Sequence, residues 1–216
     1  MVSANIFGMS VRRLRLIDAF RVVRDFEEAI GIYTGARYVV TVNSCTMALL
    51  LAFDWYRRME NGFDVVLPAK TYPSVPMSAI HAGLKVKYEH REWEGVYPVP
   101  PSRIWDCAKR FTSGMYVPGQ VQCVSFHAAK LLKIGQGGAI LHDNPVADEW
   151  YRRARFDGRR EGVATKDDEY TFPAWHCYLS LDMSARGLWL MQSYPKDVPD
   201  QEMHDYPDLS KAVLNV

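Results

Sequence analysis

Ser125-Phe126-His127-Ala128-Ala129-Lys130, followed by Gly135-Gln136-Gly137-Gly138, sets a lysine amine just past an apolar run, beside a serine hydroxyl and ahead of a glycine turn. An amine at a strand exit is well sited to condense with an aldehyde, and burial or a nearby cation would make it a nucleophile. Lys133 competes for any such role. Two partners lie upstream. Ser44-Cys45-Thr46 opens a helical pattern, where unpaired backbone amides and the helix dipole favour a phosphate. A plain helix cap needs the same residues. Asp106 ends the apolar run Ile104-Trp105, and a carboxylate there is costly to bury unless something positive meets it. A salt bridge to Lys109 or Arg110 would serve that need, and so would a protonated ring nitrogen.

An anion cup, a buried carboxylate and a lysine together are the groups that pyridoxal phosphate requires. Tyr72, after Pro68-Ala69-Lys70-Thr71, could stack on a flat ring or simply pack. His127 and His81 read as structural. The glycines at 135, 137 and 138 are no dinucleotide fingerprint, because they precede a strand instead of following one.

The elements that position these groups alternate between strand and helix. Ser10 is placed to cap a helix running through Leu16, Phe20, Val23, Phe26, Glu27 and Ile30 to Tyr33, with Gly35 ending it. Strands are expected at 37–42, 64–67, 85–88, 103–106, 121–125 and 138–142. Helices are expected from Ser44, over 73–82, from Pro145 to about Phe156, and over 183–192. That alternation predicts a three-layer α/β sandwich with a mostly parallel central sheet, whose ligands collect at the carboxyl ends of strands. Asn43-Ser44, the 68–72 segment, Asp106 and Ser125 to Lys130 all follow strand ends, which argues for one site. The chain reads as one domain over 1–195 with an N-terminal helix, and a tail over 196–216 that is proline-dotted, acidic and loosely ordered. The polar stretch 158–173 reads as a mobile loop.

The bulk numbers narrow the class. A chain of 216 residues, 48% hydrophobic and 24% charged, can bury a full core. A formal net charge of +1 gives no reason to expect nucleic-acid or anionic-membrane binding. No apolar run approaches the roughly 20 residues that span a bilayer. Four scattered cysteines and six histidines show no metal-ligand spacing, so reduced thiols, a cytoplasmic location and no metal are expected. Arg152, Arg153, Arg155, Arg159 and Arg160 could grip a nucleotide's phosphates or form a solvated basic helix end.

The ordered set resembles the DegT/DnrJ/EryC1/StrS family of pyridoxal-phosphate-dependent sugar aminotransferases of fold type I, over roughly residues 25–158. The resemblance is carried by Val42-Asn43-Ser44-Cys45-Thr46-Met47-Ala48-Leu49, Leu67-Pro68-Ala69-Lys70-Thr71-Tyr72, Asp106-Cys107-Ala108 and the Lys130 motif. It implies that Lys130 holds the cofactor as an internal aldimine and shuttles protons. It further implies that Asp106 pairs with the ring nitrogen, that Tyr72 covers the ring, and that Ser44, Cys45, Thr46 and Ser125 hold the phosphate. Lys109 stands where the family has glutamine or histidine and is counted with the cofactor-binding residues. An amino-acid donor such as glutamate, a nucleotide-linked keto-sugar acceptor and a homodimer with interfacial sites are implied too. Some relatives replace the lysine by histidine and become dehydratases, and Lys130 argues for transamination instead. The chain departs from the family in three further places. The C-terminal small domain is reduced or absent, Ser180 stands for an asparagine donated across the dimer, and the crossing from Glu89 to Asp106 is short by one strand-helix unit. A cofactor-binding protein without turnover, or another pyridoxal-phosphate reaction of dehydratase or racemase type, is therefore the alternative expectation.

Overall fold

The computed structural model describes residues 18–202 and 205–212. The expected cap at Ser10 and the Leu16 position lie outside them. The first helix, α1 (Arg21–Thr34), starts later than its periodicity suggests. The Asp18 carboxylate accepts from the Phe20 amide at 3.2 Å, so the chain turns there before the helix begins. Gly35, at φ 83°, ends α1 in the left-handed conformation that a side chain would resist.

Strand β1 (Tyr38–Val42) leads into α2 (Cys45–Met59), β2 (Asp64–Pro68), α3 (Ser74–His81) and β3 (Lys85–Glu89). After these come β4 (Tyr97–Pro98), β5 (Ile104–Asp106), β6 (Val121–Ser125), β7 (Gly138–His142), α4 (Pro145–Ala154) and α5 (Leu181–Met191). The layered α/β architecture is the expected one, but the central sheet is mixed. Its order is β1-β7-β6-β5-β4. Only β5 and β6 pair in parallel, while β7 runs against both its neighbours and β4 against β5. The alternation of strands and helices missed this because β7 follows β6 through a loop without a helix, which lets the chain reverse. Strands β2 and β3 form a separate parallel pair, tied to the β4–β5 region where the Val66 amide donates to the Pro100 carbonyl at 2.8 Å. Between β3 and β5 the chain makes only the two-residue β4 and no helix, in keeping with the shortness of that crossing.

Strand side chains alternate between two cores, as the pleat requires. Val40, Val42, Cys123 and Ile140 face α2, α3 and α4, whereas Val39, Val124, Ala139 and Leu141 face α1 and α5. Gly187 lets α5 press onto α1, because a Cβ there would sit 2.4 Å from the Phe26 ring. A buried ion network fixes α1, β1 and α4. Glu27 accepts from the Thr41 amide at 2.9 Å and hydroxyl at 2.8 Å, from Arg152 at 2.7 Å, and from Arg155. Burial alone would raise the Glu27 pKa, but the two guanidinium groups outweigh it and hold it below the usual value.

Part of the basic run is thus committed to ion pairs within the protein. Arg155 is fully buried between Glu27 and Glu161, Arg152 also meets Asp148, and Arg160 meets Asp168. Neither a phosphate grip nor a solvated helix end describes Arg152 and Arg155. The 158–173 segment contains a one-turn 3-10 helix (Thr165–Asp167) and is tied to α4 where Arg153 donates to the Glu169 carbonyl at 2.7 Å.

The tail differs most from expectation. It is stitched across the protein instead of lying loose. Asp200 forms a forked ion pair with Arg110 at 2.6–3.1 Å. The Gln201 amide donates to the Lys109 carbonyl at 3.0 Å and its side chain to the Ala129 carbonyl at 3.0 Å. Farther along, the Leu209 amide donates to the Ala69 carbonyl at 2.8 Å.

Candidate functional site

A cavity of about 300 Å³ opens where β1, β2, β5 and β6 end, and all eight residues singled out in the sequence line it: Ser44, Cys45, Thr46, Tyr72, Asp106, Lys109, Ser125 and Lys130. The site is built from strand exits, as the convergence of these segments on the sequence suggests.

One end is the start of α2. The Ser44 hydroxyl accepts from the Met47 amide at 3.1 Å, so the residue is a true helix cap. The Thr46 hydroxyl shares a 2.8 Å hydrogen bond with Ser74. Strand β7 comes very close here. A Cβ on Gly138 would fall 2.5 Å from the Cys45 nitrogen, so only glycine lets the strand start against this helix end.

The floor is Asp106, 6% exposed. Its carboxylate accepts from the Tyr97 hydroxyl at 2.8 Å and the Ala108 amide at 2.9 Å, and Thr71 hydrogen-bonds the same hydroxyl at 2.6 Å. Burial nevertheless pushes its pKa up, against those hydrogen bonds and the charge of Lys130. The expected salt bridges are not formed. Arg110 is engaged with Asp200, and the Lys109 amine donates to the Glu202 carbonyl of the tail. A buried carboxylate with two neutral donors and a raised pKa lacks a close counter-charge, which a protonated pyridine nitrogen would supply. The residues present fit the cofactor.

Lys130 stands on the loop between β6 and β7. Its amide donates to the His127 carbonyl at 2.8 Å, and the loop is pinned where the Phe126 amide meets the Gly137 carbonyl and the Ala128 amide the Gly135 carbonyl, both at 2.9 Å. Lys133 is exposed and not part of the cavity wall. His127 lines the cavity, yet its Nδ1 accepts from the Ala129 amide at 3.2 Å and so serves the loop. His81 and Ser180 are exposed and away from the cavity.

Sequence reasoning missed the aromatic mouth. Tyr206 of the tail stacks on Trp93 (centroids 6.1 Å apart, 11° between planes) and meets Tyr72 edge-on at 6.3 Å. Trp93 is fixed by its indole nitrogen donating to the Lys70 carbonyl at 2.9 Å. Tyr97, behind Asp106, was missed too. A tyrosine opening the proline-rich stretch Tyr97-Pro98-Val99-Pro100-Pro101 carries no signal of its own, and a tail residue reaches the site only through folding. Burial pushes the Cys45, Cys107 and Cys123 thiols well up, with the Asp106 charge adding to it, so they stay protonated and offer no nucleophile. Among the described residues no group of three His, Cys, Asp or Glu side chains could hold a metal ion, and no helix is long and apolar enough to cross a membrane.

Helices on both faces of the sheet, with a lysine loop and a buried aspartate at the strand ends, define the α/β fold of the fold type I pyridoxal-phosphate enzymes. The model of the DegT/DnrJ/EryC1/StrS aminotransferase family matches residues 11–91 and 114–175, well over half of the chain, and the chain belongs to that family. The unmatched interval includes Asp106 and Lys109. Solved structures show the same fold. The sugar aminotransferase CalS13 from Micromonospora echinospora superposes with a TM-score of 0.70 at 20% identity, over 81% of this chain and 61% of that one. AtS13 from Actinomadura melliaura gives 0.70 at 19% identity, over 80% and 60%. PseC of Helicobacter pylori, an aminotransferase of pseudoaminic acid biosynthesis, gives 0.65 at 15% identity, over 81% and 58%. The chain therefore spans about three fifths of the length of these structures. No curated protein matches it in sequence.

Proposed function

We propose that this chain is a pyridoxal-phosphate-dependent aminotransferase that takes an amino group from an amino-acid donor, glutamate by preference, and passes it to a nucleotide-linked keto-sugar. The observation that carries the reading is the convergence of Lys130, buried Asp106 and the capped start of α2 on one cavity. Family membership and the sugar aminotransferases of the same fold support it.

Pyridoxal phosphate, when bound, supplies an aldehyde carbon that condenses with amines and a ring that withdraws electrons. The amides opening α2 and the hydroxyls of Ser44, Thr46 and Ser125, with Cys45 in the same turn, are the chain's means of binding its phosphate. Asp106 would favour the protonated ring nitrogen, with Tyr97 and Ala108 orienting that carboxylate. The Lys130 amine carries protons to and from the reacting carbon. Tyr72, Trp93 and Tyr206 line the mouth and would limit water there, with Tyr72 the residue that would cover the ring. Residues 1–195 act as the cofactor-binding domain and 196–216 as its tail, in a cytoplasmic homodimer.

A second reading, cofactor binding without turnover, is favoured by one observation: the tail is anchored to Lys109 and lies beside the cavity. The visible absorption spectrum separates the two. Wild type mixed with pyridoxal phosphate gains a yellow band that Lys130→Ala lacks, and glutamate bleaches it. A band that no amino acid bleaches supports the second reading. No difference between wild type and Lys130→Ala refutes both.

A further inference from the structure

Resting on that reading, we propose that Lys109 is a specificity-determining residue, an anion seat in the cavity for the carboxylate of the amino-acid donor. Lys109 is only 1% exposed and lines the same cavity as Lys130 and Asp106. Among the described residues no carboxylate lies within ion-pair distance of it. An ammonium group has three donors, and here one is taken by the neutral Glu202 carbonyl. The ring of Tyr206 lies 5.8 Å away, a weaker partner than a carboxylate. Burial and the charge of Lys130 both lower its pKa, with the Glu202 carboxylate only partly opposing them.

A buried cation left without a counter-charge is costly, so an anion entering the cavity gains more here than at a solvated lysine. Position selects the anion. The carboxylate of an α-amino acid is one bond from the carbon that bears the reacting nitrogen. A cation that lines the same cavity as Lys130 is therefore placed for that carboxylate. The phosphate is served separately by the start of α2, on the other side of Asp106 in the sequence. Amines without a carboxylate gain nothing from Lys109, so the residue selects amino acids over simple amines.

The test is calorimetric titration of succinate, a carboxylate with no amine to transfer, into protein saturated with pyridoxal phosphate. Wild type binds succinate but not 1,4-butanediol. Lys109→Gln weakens binding about tenfold or more, and Lys109→Arg restores it to within a few-fold. A variant-free measurement stands beside it: succinate slows reductive methylation of the Lys109 amine in wild type and leaves that of exposed Lys133 unchanged. Equal succinate affinity in wild type and Lys109→Gln, no uptake by wild type, or an unprotected Lys109 overturns the proposal. The yellow band depends on Lys130 and is read in wild type. Failure of the anion seat in a coloured protein thus leaves the cofactor reading intact, whereas a colourless wild type removes both.

Discussion

Removing Arg155 should be among the most damaging changes outside the cavity, and the structure fixes its size. The side chain is 0% exposed and bridges Glu27 with Glu161, the latter at 2.8 Å. Arg155→Met keeps most of the volume but leaves Glu27 with Arg152 as its one remaining cation among the described residues, at 2.7 Å. Breaking a buried pair by removing one partner costs about 3–5 kcal/mol, and the surviving Arg152 contact puts this case near 3 kcal/mol. For a chain of this size that is a fall in melting temperature of about 6–12 °C. Adding Glu27→Gln removes the orphaned charge while an amide oxygen still accepts from Thr41, so the double variant should recover about 1–2 kcal/mol. The pH dependence has a definite sign. Because the folded Glu27 pKa is depressed, its contribution is complete above the unfolded value near 4.5 and is lost as pH falls through the folded value. Arg155→Met should therefore flatten the acid limb of the stability curve. Urea melts across pH measure all three quantities. A single variant melting within 2 °C of wild type, or a double variant less stable than the single, refutes the network argument.

Other changes test the cavity. Gly138→Ala forces a methyl toward the Cys45 nitrogen at 2.5 Å, so it should lower the melting temperature and weaken pyridoxal phosphate binding by tenfold or more in a spectral titration. Tyr97→Phe removes one of two hydrogen bonds to Asp106, and a loss of about 1–2 kcal/mol in cofactor affinity is expected, without loss of fold by circular dichroism. Asp106→Asn should do the reverse to the empty protein, raising its melting temperature by a few degrees because the raised pKa marks the ionised form as unfavourable at neutral pH, while cofactor affinity falls. Asp200→Ala releases the fork to Arg110 and should speed hydrogen exchange at the Gln201 amide without changing exchange in the central sheet.

Much of the site was legible because its residues follow strand ends, and strand ends are marked by apolar runs that stop. Ser44 at the head of α2, Asp106 after Ile104-Trp105 and Lys130 after Val121–Ser125 could be placed on that ground alone. The direction of β7 was not legible, since a five-residue apolar strand reads the same in either direction and only the helix-free connection decides it. Arg155 looked like part of a basic surface because charge density on a sequence does not reveal that Glu27, 128 residues away, waits inside. The tail looked loose because proline and acidic residues usually solvate. Its order comes from the forked Arg110–Asp200 pair and backbone bonds to Lys109 and Ala69, partners that exist only after folding.

Asp106 shows why the core of the site is expensive for the fold and useful for chemistry. A carboxylate held by Tyr97 and Ala108 yet still raised in pKa is a group whose environment was not arranged to stabilise it alone. Leucine there would pack at no electrostatic cost. The cost is recovered only when a cation arrives, and the cavity above Asp106 is lined by the groups that would bring one with an anion attached: an amine, hydroxyls and a helix start. Lys109 inverts the same logic, being a buried cation with no carboxylate within ion-pair distance among the described residues. The two residues are three apart on one turn, with opposite unmet charges facing one space. A ligand that carries a cation at one end and an anion toward the other would meet both charges.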